Sequence, residues 1–212
     1  MEPKTHWDRI YRTTRPDELS WFQATPHVSL DLIRRRVPDR QARIIDVGGG
    51  TSSLADALLA SGYSDVTVLD VSAAALTTAK ERLGARAGEV TWLDADVLTA
   101  ALPQSDYDVW HDRAVFHFLT DPHDRDRYVA QVRRAVKPGG LVLVATFAED
   151  GPTRCSGLPV ARYSPQQLHR SFGADFLLLE DHREEHVTPS GVRQPFTYCA
   201  CRFTPRADHR AA

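Results

Sequence analysis

Short apolar runs alternate with amphipathic segments along most of the chain. The apolar runs are rich in Val, Ile and Leu and have the length of strands that are buried on both faces. They lie at residues 43–47, 65–70, 89–93, 106–110 and 141–147. The segments between them carry apolar residues at helical spacing, or begin and end with helix-capping residues, and this predicts helices. They lie at residues 27–37, 52–60, 72–83 and 122–136.

The last third of the chain changes this pattern. Ser164-Pro-Gln-Gln167 is a capping box and predicts one more helix. Two long extended runs follow, at residues 176–187 and 192–203, and the turn residues Pro189-Ser190-Gly191 between them predict a hairpin. Strand–helix alternation followed by a hairpin predicts an α/β fold. We expect a Rossmann-like, doubly wound, mostly parallel seven-stranded sheet with a C-terminal antiparallel hairpin.

Length and charge narrow the class of protein. The 212 residues suffice for one substantial α/β domain, and a formal net charge of −2 gives no electrostatic footprint for nucleic acid. No apolar run approaches the ~18 residues of a membrane helix, and the N-terminus lacks an apolar signal region. Three cysteines, an odd number, argue against a disulfide framework. We therefore expect a cytoplasmic monomer or homodimer with no membrane or nucleic-acid partner.

A glycine-rich turn follows the first strand and carries the clearest chemical signal. Gly48, Gly49 and Gly50 come directly after that strand and before a helix, and the second strand ends on Asp70. Glycines let the backbone approach a ligand, and an acid at the second strand end can hold two ribose hydroxyls. The pattern therefore predicts a crevice for a nucleotide-type cofactor.

Two departures from the dinucleotide-binding pattern narrow the class of ligand. Ser53 occupies the position of the third glycine, and no lysine follows the glycines as it would in a phosphate-binding loop. Asp46 lies at the end of the strand, where its carboxylate would repel a pyrophosphate. A ligand that bears an ammonium group suits this acid better.

Several motifs, in the same order along the chain, resemble those of class I S-adenosylmethionine-dependent methyltransferases. The matching segments are Asp46-Val-Gly-Gly-Gly-Thr51, Val68-Leu-Asp70, Ala95-Asp-Val97, Tyr107-Asp-Val-Trp-His-Asp-Arg113 and Val136-Lys-Pro-Gly-Gly-Leu-Val-Leu-Val144. The resemblance covers roughly residues 40 to 203. It implies a methyltransferase domain over residues 26–204, preceded by a lid segment at 1–25 and followed by a flexible tail at 205–212.

The resemblance also implies how the cofactor S-adenosylmethionine is held. Asp46 and the glycines of the turn would bind its methionine part. Asp70, followed by Val71, would bind the ribose. Asp96, followed by Val97, would lie at the adenine edge.

The N-terminal segment is unusually rich in aromatic residues for a polar stretch. Residues 6–22 contain Trp7, Tyr11, Trp21 and Phe22 with little periodicity. These rings either fix the segment to the helices of the core or cover the crevice and exclude water. In small methyltransferases that the chain resembles, such a segment often closes over the cofactor. We therefore expect the four rings to lie near it.

The residues after the fourth strand should face the transferred methyl group, because ligands bind at the carboxyl ends of the strands. His111, Asp112 and Arg113 are the candidate catalytic residues. His111 could act as a general base or could only contact the cofactor. Arg113 could orient a polar substrate group or pair with a nearby acid. The run from Asp112 to Ala114 resembles that of thiopurine-type and other small-molecule thiol methyltransferases.

The expected reaction is methyl transfer to a small molecule, with a thiol-like acceptor favoured by that resemblance. A pocket for it would be walled by Phe116 and by the loop at 148–163, which carries Cys155. The alternatives are a protein-lysine methyltransferase, a nicotinamide-dependent oxidoreductase and a non-catalytic subunit that binds the cofactor. Cys155, Cys199 and Cys201 could hold a metalloid, but buried cysteine is common in cores and we expect no metal.

Overall fold

A single seven-stranded sheet organises the protein in the computed structural model, which describes residues 3–206. Its strands lie in the order β3-β2-β1-β4-β5-β7-β6. Their bounds are β1 Arg43–Val47, β2 Asp65–Asp70, β3 Val90–Asp94, β4 Tyr107–Arg113, β5 Val136–Phe147, β6 Phe176–Val187 and β7 Arg193–Phe203. Strand β7 pairs antiparallel with both β5 and β6, and the other pairings are parallel. The predicted fold class is therefore confirmed.

Helices cover both faces of the sheet and bury two apolar cores. Their bounds are α1 Pro3–Thr13, α2 His27–Arg36, α3 Leu54–Ala60, α4 Ala73–Leu83, α5 Pro122–Ala135 and α6 Pro165–Phe172. Helices α2 and α3 pack Ile33 and Leu58 against one face. Helices α5 and α6 pack Tyr128 and Phe172 against the other. Successive strand residues such as Ile44 and Ile45 belong to different cores, because side chains alternate between the two faces of a strand.

The order of the strands reverses between β1 and β4, which lie side by side in the middle of the sheet. From β1 the next strand in the chain is added on one side of the sheet, and from β4 the next strand is added on the other side. The loops at the carboxyl ends of β1 and β4 therefore lead in opposite directions. A crevice opens where they separate, and this is the usual ligand site of such sheets.

Several elements differ from the sequence-based prediction. Strand β5 begins at Val136 rather than at Leu141, because Val136 pairs with Tyr107 of β4. Strand β4 extends to Arg113 instead of ending at Trp110, because β1 and β5 pair with it on both sides as far as Asp112. The N-terminal segment is a helix, α1, rather than an irregular stretch. Its residues Pro3, Trp7 and Tyr11 are spaced four apart and so lie on one face.

Helix capping at the predicted positions agrees with the sequence. The Ser72 hydroxyl accepts a hydrogen bond from the Ala75 N–H at the start of α4. Ser164 and Gln167 form both halves of a capping box at the start of α6.

Across residues 3–206, every helix is too short or too polar to cross a bilayer. The cytoplasmic location stays a prediction. Most of the expected flexible tail, residues 207–212, lies outside the described residues.

Candidate active site

The glycine turn adopts a backbone conformation that other residues would not tolerate. Gly48 and Gly50 have positive φ angles of 64° and 46°. A Cβ atom at Gly48 would lie 2.0 Å from Val115 Cγ2, and one at Gly49 would lie 2.7 Å from Asp46 Oδ2. The turn therefore closes tightly on its neighbours and leaves its backbone available to a ligand.

Asp46 presents one free carboxylate oxygen at this turn. Its Oδ1 lies 2.7 Å from His111 Nδ1, and His111 Nε2 lies 2.8 Å from Ser29 Oγ. Oδ2 is buried and has no hydrogen-bond partner among the described residues. A buried, unpaired carboxylate oxygen is costly unless a donor reaches it. The ammonium group of the implied cofactor is a donor of the right charge, so this observation fits the cofactor.

Asp70 lies at the carboxyl end of β2, where it lines the main cavity. Its Oδ1 accepts a 2.8 Å hydrogen bond from the Ser72 N–H, which fixes the carboxylate. Burial, with a further contribution from nearby Asp46, raises the pKa of Asp70 to about 7. The carboxylate can accept the two hydroxyls of a ribose, and such hydrogen bonds to a charged group are strong.

One cavity of about 370 Å³ extends from the glycine turn across the top of the sheet. Of the residues predicted to bind the cofactor, Gly48, Asp70, Val71, Asp96 and Val97 line what we call its cofactor end, whereas Asp46, Gly49 and His111 line a smaller neighbouring cavity. At the other end its walls are largely apolar. These walls comprise Trp7, Trp21, Val115, Phe118, Leu119, Cys155, Leu158 and Pro159.

The aromatic side chains of the N-terminal segment form one cluster over this cavity. Trp7 packs edge-to-face on Trp21 and on Phe118, with ring centroids 5.9 Å and 5.0 Å apart. Tyr11 lies 6.1 Å from Trp21. Gly50 lies directly below Tyr11, since a Cβ atom there would be 2.6 Å from the Tyr11 hydroxyl oxygen. Helix α1 therefore covers the glycine turn. Phe22 lines a smaller neighbouring cavity of about 40 Å³.

Arg113 lines the cavity, but its charge is already paired. Its Nη2 lies 3.3 Å from Glu184 Oε2, and the exposed fractions of the two side chains are 8% and 12%. Its Nε donates to the Tyr198 hydroxyl, and its Nη1 donates to the Trp21 carbonyl. Arg113 therefore connects the N-terminal segment to the C-terminal hairpin, which is the ion-pair alternative of the sequence analysis.

Neither His111 nor Asp112 lines the main cavity, and His111 lines the smaller one. Both ring nitrogens of His111 are hydrogen-bonded, and the residue is 3% exposed, which argues against a general base. Asp112 is completely buried. Its carboxylate accepts hydrogen bonds from the backbone of Val115 and Phe116 and from Tyr128, so it fixes the turn after β4. Burial raises its pKa to about 6.

Phe116 packs into a core rather than against the cavity, where Phe118 lies instead. A turn of 3-10 helix at Phe116–Phe118 rotates the two rings to different sides. The three cysteines separate into two groups. Cys155 lines the cavity, whereas Cys199 and Cys201, with Sγ atoms 3.2 Å apart, lie in the second core. Across residues 3–206, no three potential ligands are grouped for a metal.

The sequence patterns did not predict Ser29 or Phe118 near the site, and they placed His6 in the aromatic N-terminal segment without a role in the site. The contact of Ser29 joins positions 82 residues apart, so no local pattern signals it. His6 lines the cavity, and the four-residue spacing of Trp7 and Tyr11 could have indicated the helix that carries it.

Comparisons with known proteins agree with this geometry. Residues 44–140 match a family described as a methyltransferase domain. An "eEF1A lysine and N-terminal methyltransferase" of Mus musculus is 23% identical over 150 residues, covering 68% of this chain and 21% of that protein. An uncharacterised methyltransferase of Mycobacterium tuberculosis is 33% identical over 116 residues, covering 55% of this chain and 56% of that protein. The chain thus spans only part of the length of either relative.

A solved structure shares the fold over nearly the whole chain. It is the Burkholderia thailandensis 1,6-didemethyltoxoflavin-N1-methyltransferase with bound 1,6-didemethyltoxoflavin and S-adenosylhomocysteine. The TM-score is 0.72 at 18% identity, covering 95% of this chain and 87% of that chain. Residues 44–140 are therefore similar to a methyltransferase domain, and the chain shares its fold with a structure that holds S-adenosylhomocysteine; both findings agree with the resemblance to class I S-adenosylmethionine-dependent methyltransferases.

Proposed function

We propose that the protein transfers the methyl group of S-adenosylmethionine to a small-molecule nucleophile. The observation that carries this proposal is a cavity whose lining combines residues predicted for the cofactor, such as Asp70, with apolar side chains such as Trp7 and Phe118. The whole cavity, including the part assigned to the cofactor, has a volume of about 370 Å³, and its lining is mostly apolar with a few polar groups, which is typical of small-molecule sites. A thiol-like acceptor is favoured by the resemblance around Asp112 and Arg113.

The residues of the cofactor end have distinct proposed roles. Asp46 and the glycine turn hold the methionine part, Asp70 the ribose and Asp96 the adenine edge. When bound, S-adenosylmethionine supplies a methyl group that the positive sulfonium has already activated. The protein therefore mainly aligns the acceptor with that group and excludes water.

Residues 1–25 are proposed to form the lid, and its attachments support this role. Lys4 Nζ lies 2.7 Å from Asp94 Oδ1, and the Ser72 hydroxyl donates to Asp8 Oδ1 at 2.7 Å. Lys4 also donates to the carbonyl of Val71, a residue that lines the cavity. These contacts attach α1 to the strand ends that border the crevice, which supports a lid whose aromatic cluster covers the proposed reaction centre.

A protein lysine is the runner-up acceptor, because one relative is named for lysine methylation. The test is incubation of the purified chain with S-adenosylmethionine labelled in its methyl group and with fractionated cell extract. We expect label in the small-molecule fraction. Label in protein alone would move the assignment to the runner-up, and no transferred label would favour a non-catalytic subunit.

A matched pair of variants controls this assay. Asp70→Ala removes the carboxylate at the cofactor end of β2. Asp65→Ala removes a carboxylate at the opposite end of the same strand, where it pairs on the surface with Arg43. Transfer that belongs to this chain should be lost in the first variant and kept in the second.

A further inference from the structure

We propose that His6 is the catalytic base that removes the proton of the methyl acceptor. This inference rests on the proposed function, since it concerns the acceptor end of the same cavity. It assigns the role that the sequence suggested for His111 to a different histidine on the N-terminal helix.

The environment of His6 supports this role. The residue is 6% exposed and lines the cavity together with Trp7 and Phe118. Its Nε2 is buried and has no hydrogen-bond partner within residues 3–206. The ring of Trp7 packs edge-to-face on it, with centroids 5.2 Å apart, so the imidazole is held in place. A buried nitrogen without a partner is costly, which indicates that a ligand group completes it.

The position of His6 on α1 directs it away from the cofactor end. Lys4 and Asp8 project from the side of α1 that contacts Asp94 and Ser72. At 100° per residue, His6 projects from a different side, next to Trp7. Trp7 in turn contacts Phe118, which lines the apolar end. We therefore assign His6 to the acceptor side of the cavity.

Of the other titratable groups that line the cavity, Asp70 and Asp96 are assigned to the cofactor, and the rest are unsuited to take a proton. Burial raises the pKa of the Cys155 thiol to about 11 and raises that of Tyr11, so both hold their protons at neutral pH. Arg113 is a permanent cation and is paired with Glu184. Asp124, at the rim, is paired with Arg127. Imidazole is the side chain that takes up and releases protons near neutral pH.

The proposed step transfers one methyl group and one proton. A lone pair on the acceptor atom forms a bond to the methyl carbon as the carbon–sulfur bond breaks, and the electron pair of that bond remains on sulfur as a neutral thioether. The proton of the acceptor atom passes to His6 Nε2, and the imidazolium then releases it to solvent. This step suits an uncharged acceptor that carries a dissociable proton, such as a thiol or a phenol. The neighbouring walls are apolar, so they also favour an uncharged molecule.

The test compares two probe acceptors with His6→Gln. Phenol keeps its proton at neutral pH, whereas 4-nitrothiophenol is largely ionised and needs no base. General-base catalysis contributes roughly 100-fold or more, so we expect His6→Gln to slow methylation of phenol by about that factor. Methylation of 4-nitrothiophenol should change less than about twofold. An equal loss on both probes would show a structural role and overturn the proposal, while leaving the proposed function intact.

A binding measurement covers the case in which neither probe is methylated. In nitrogen NMR of the complex with S-adenosylhomocysteine, the resonance of one imidazole nitrogen should shift when phenol is added. That resonance should be missing from the spectrum of His6→Gln, which assigns it to His6. Absence of the shift in the wild type would overturn the role of His6. Calorimetry should show unchanged S-adenosylmethionine affinity in His6→Gln. The matched control is His123→Gln, which alters an exposed histidine on α5 and should change none of these quantities.

Discussion

Asp70→Asn should have opposite effects on cofactor affinity and on the stability of the ligand-free protein. The carboxylate is buried, and its pKa is raised from 3.8 to about 7. A carboxyl whose pKa is higher in the folded state destabilises the fold once it ionises. This penalty is absent below pH 4, grows as the pH rises towards 7 and is constant above. Three pH units correspond to about 4 kcal/mol as an upper value. The asparagine variant should therefore be more stable than the wild type at pH 8, and the difference should shrink towards pH 4.

Cofactor affinity should fall in the same variant. Each hydrogen bond to the charged carboxylate contributes ~1.5–3 kcal/mol, so losing the charge should weaken S-adenosylmethionine by about 10-fold to 150-fold. The wild type itself should lose affinity as the pH falls below 7, because Asp70 then becomes protonated and accepts hydrogen bonds less well. The affinity of Asp70→Asn should be much less dependent on pH in that range.

Calorimetric titration of S-adenosylmethionine between pH 5.5 and 8.5 measures the affinity, and urea unfolding over the same range measures the stability. Asp65→Asn is the control, since that carboxylate is on the surface at the other end of β2. Unchanged affinity in Asp70→Asn and in Asp70→Ala would remove Asp70 from the ribose site. A pH-independent stability difference between Asp70→Asn and the wild type would refute the electrostatic argument.

Three further predictions concern neighbouring parts of the site. Deleting residues 6–22 should strongly lower turnover, measured by methyl transfer, and should change the melting temperature, measured by thermal unfolding, only a little. Loss of the fold would show that the segment mainly packs against the core. His111→Asn should weaken S-adenosylmethionine through misplacement of Asp46 but leave 5′-methylthioadenosine, which lacks the amino-acid part, unaffected in calorimetry; equal losses would refute this positioning role. Arg113→Ala should destabilise the protein by ~3 kcal/mol in urea unfolding because the largely buried Glu184 loses its charged partner and keeps only hydrogen bonds from Gln23 and Tyr198, and adding Glu184→Gln should restore part of the loss. No recovery in the double variant would show that the pair is not the cause.

Local patterns in the sequence were sufficient for most of the elements and for the cofactor end. The bounds of β1 and β2 agree with prediction at every residue, because apolar runs bounded by turn residues are set by neighbours in the chain. The glycine turn and Asp70 were identified in the same way. Each is fixed by the strand that immediately precedes it, and parallel strands bring their carboxyl ends to one edge.

Contacts between distant segments decided the rest. The end of β4 depends on pairing with β1 and β5, so the composition of β4 alone ended it three residues early. The pairing of Arg113 with Glu184 joins positions 71 residues apart. The contacts of His111 also join distant segments, because its two ring nitrogens are hydrogen-bonded to residues of β1 and α2. A histidine in the sequence does not reveal whether its nitrogens will have partners. Only the packed structure distinguishes His111, whose two ring nitrogens are both bonded, from His6, which lines the cavity and whose Nε2 has no partner among residues 3–206.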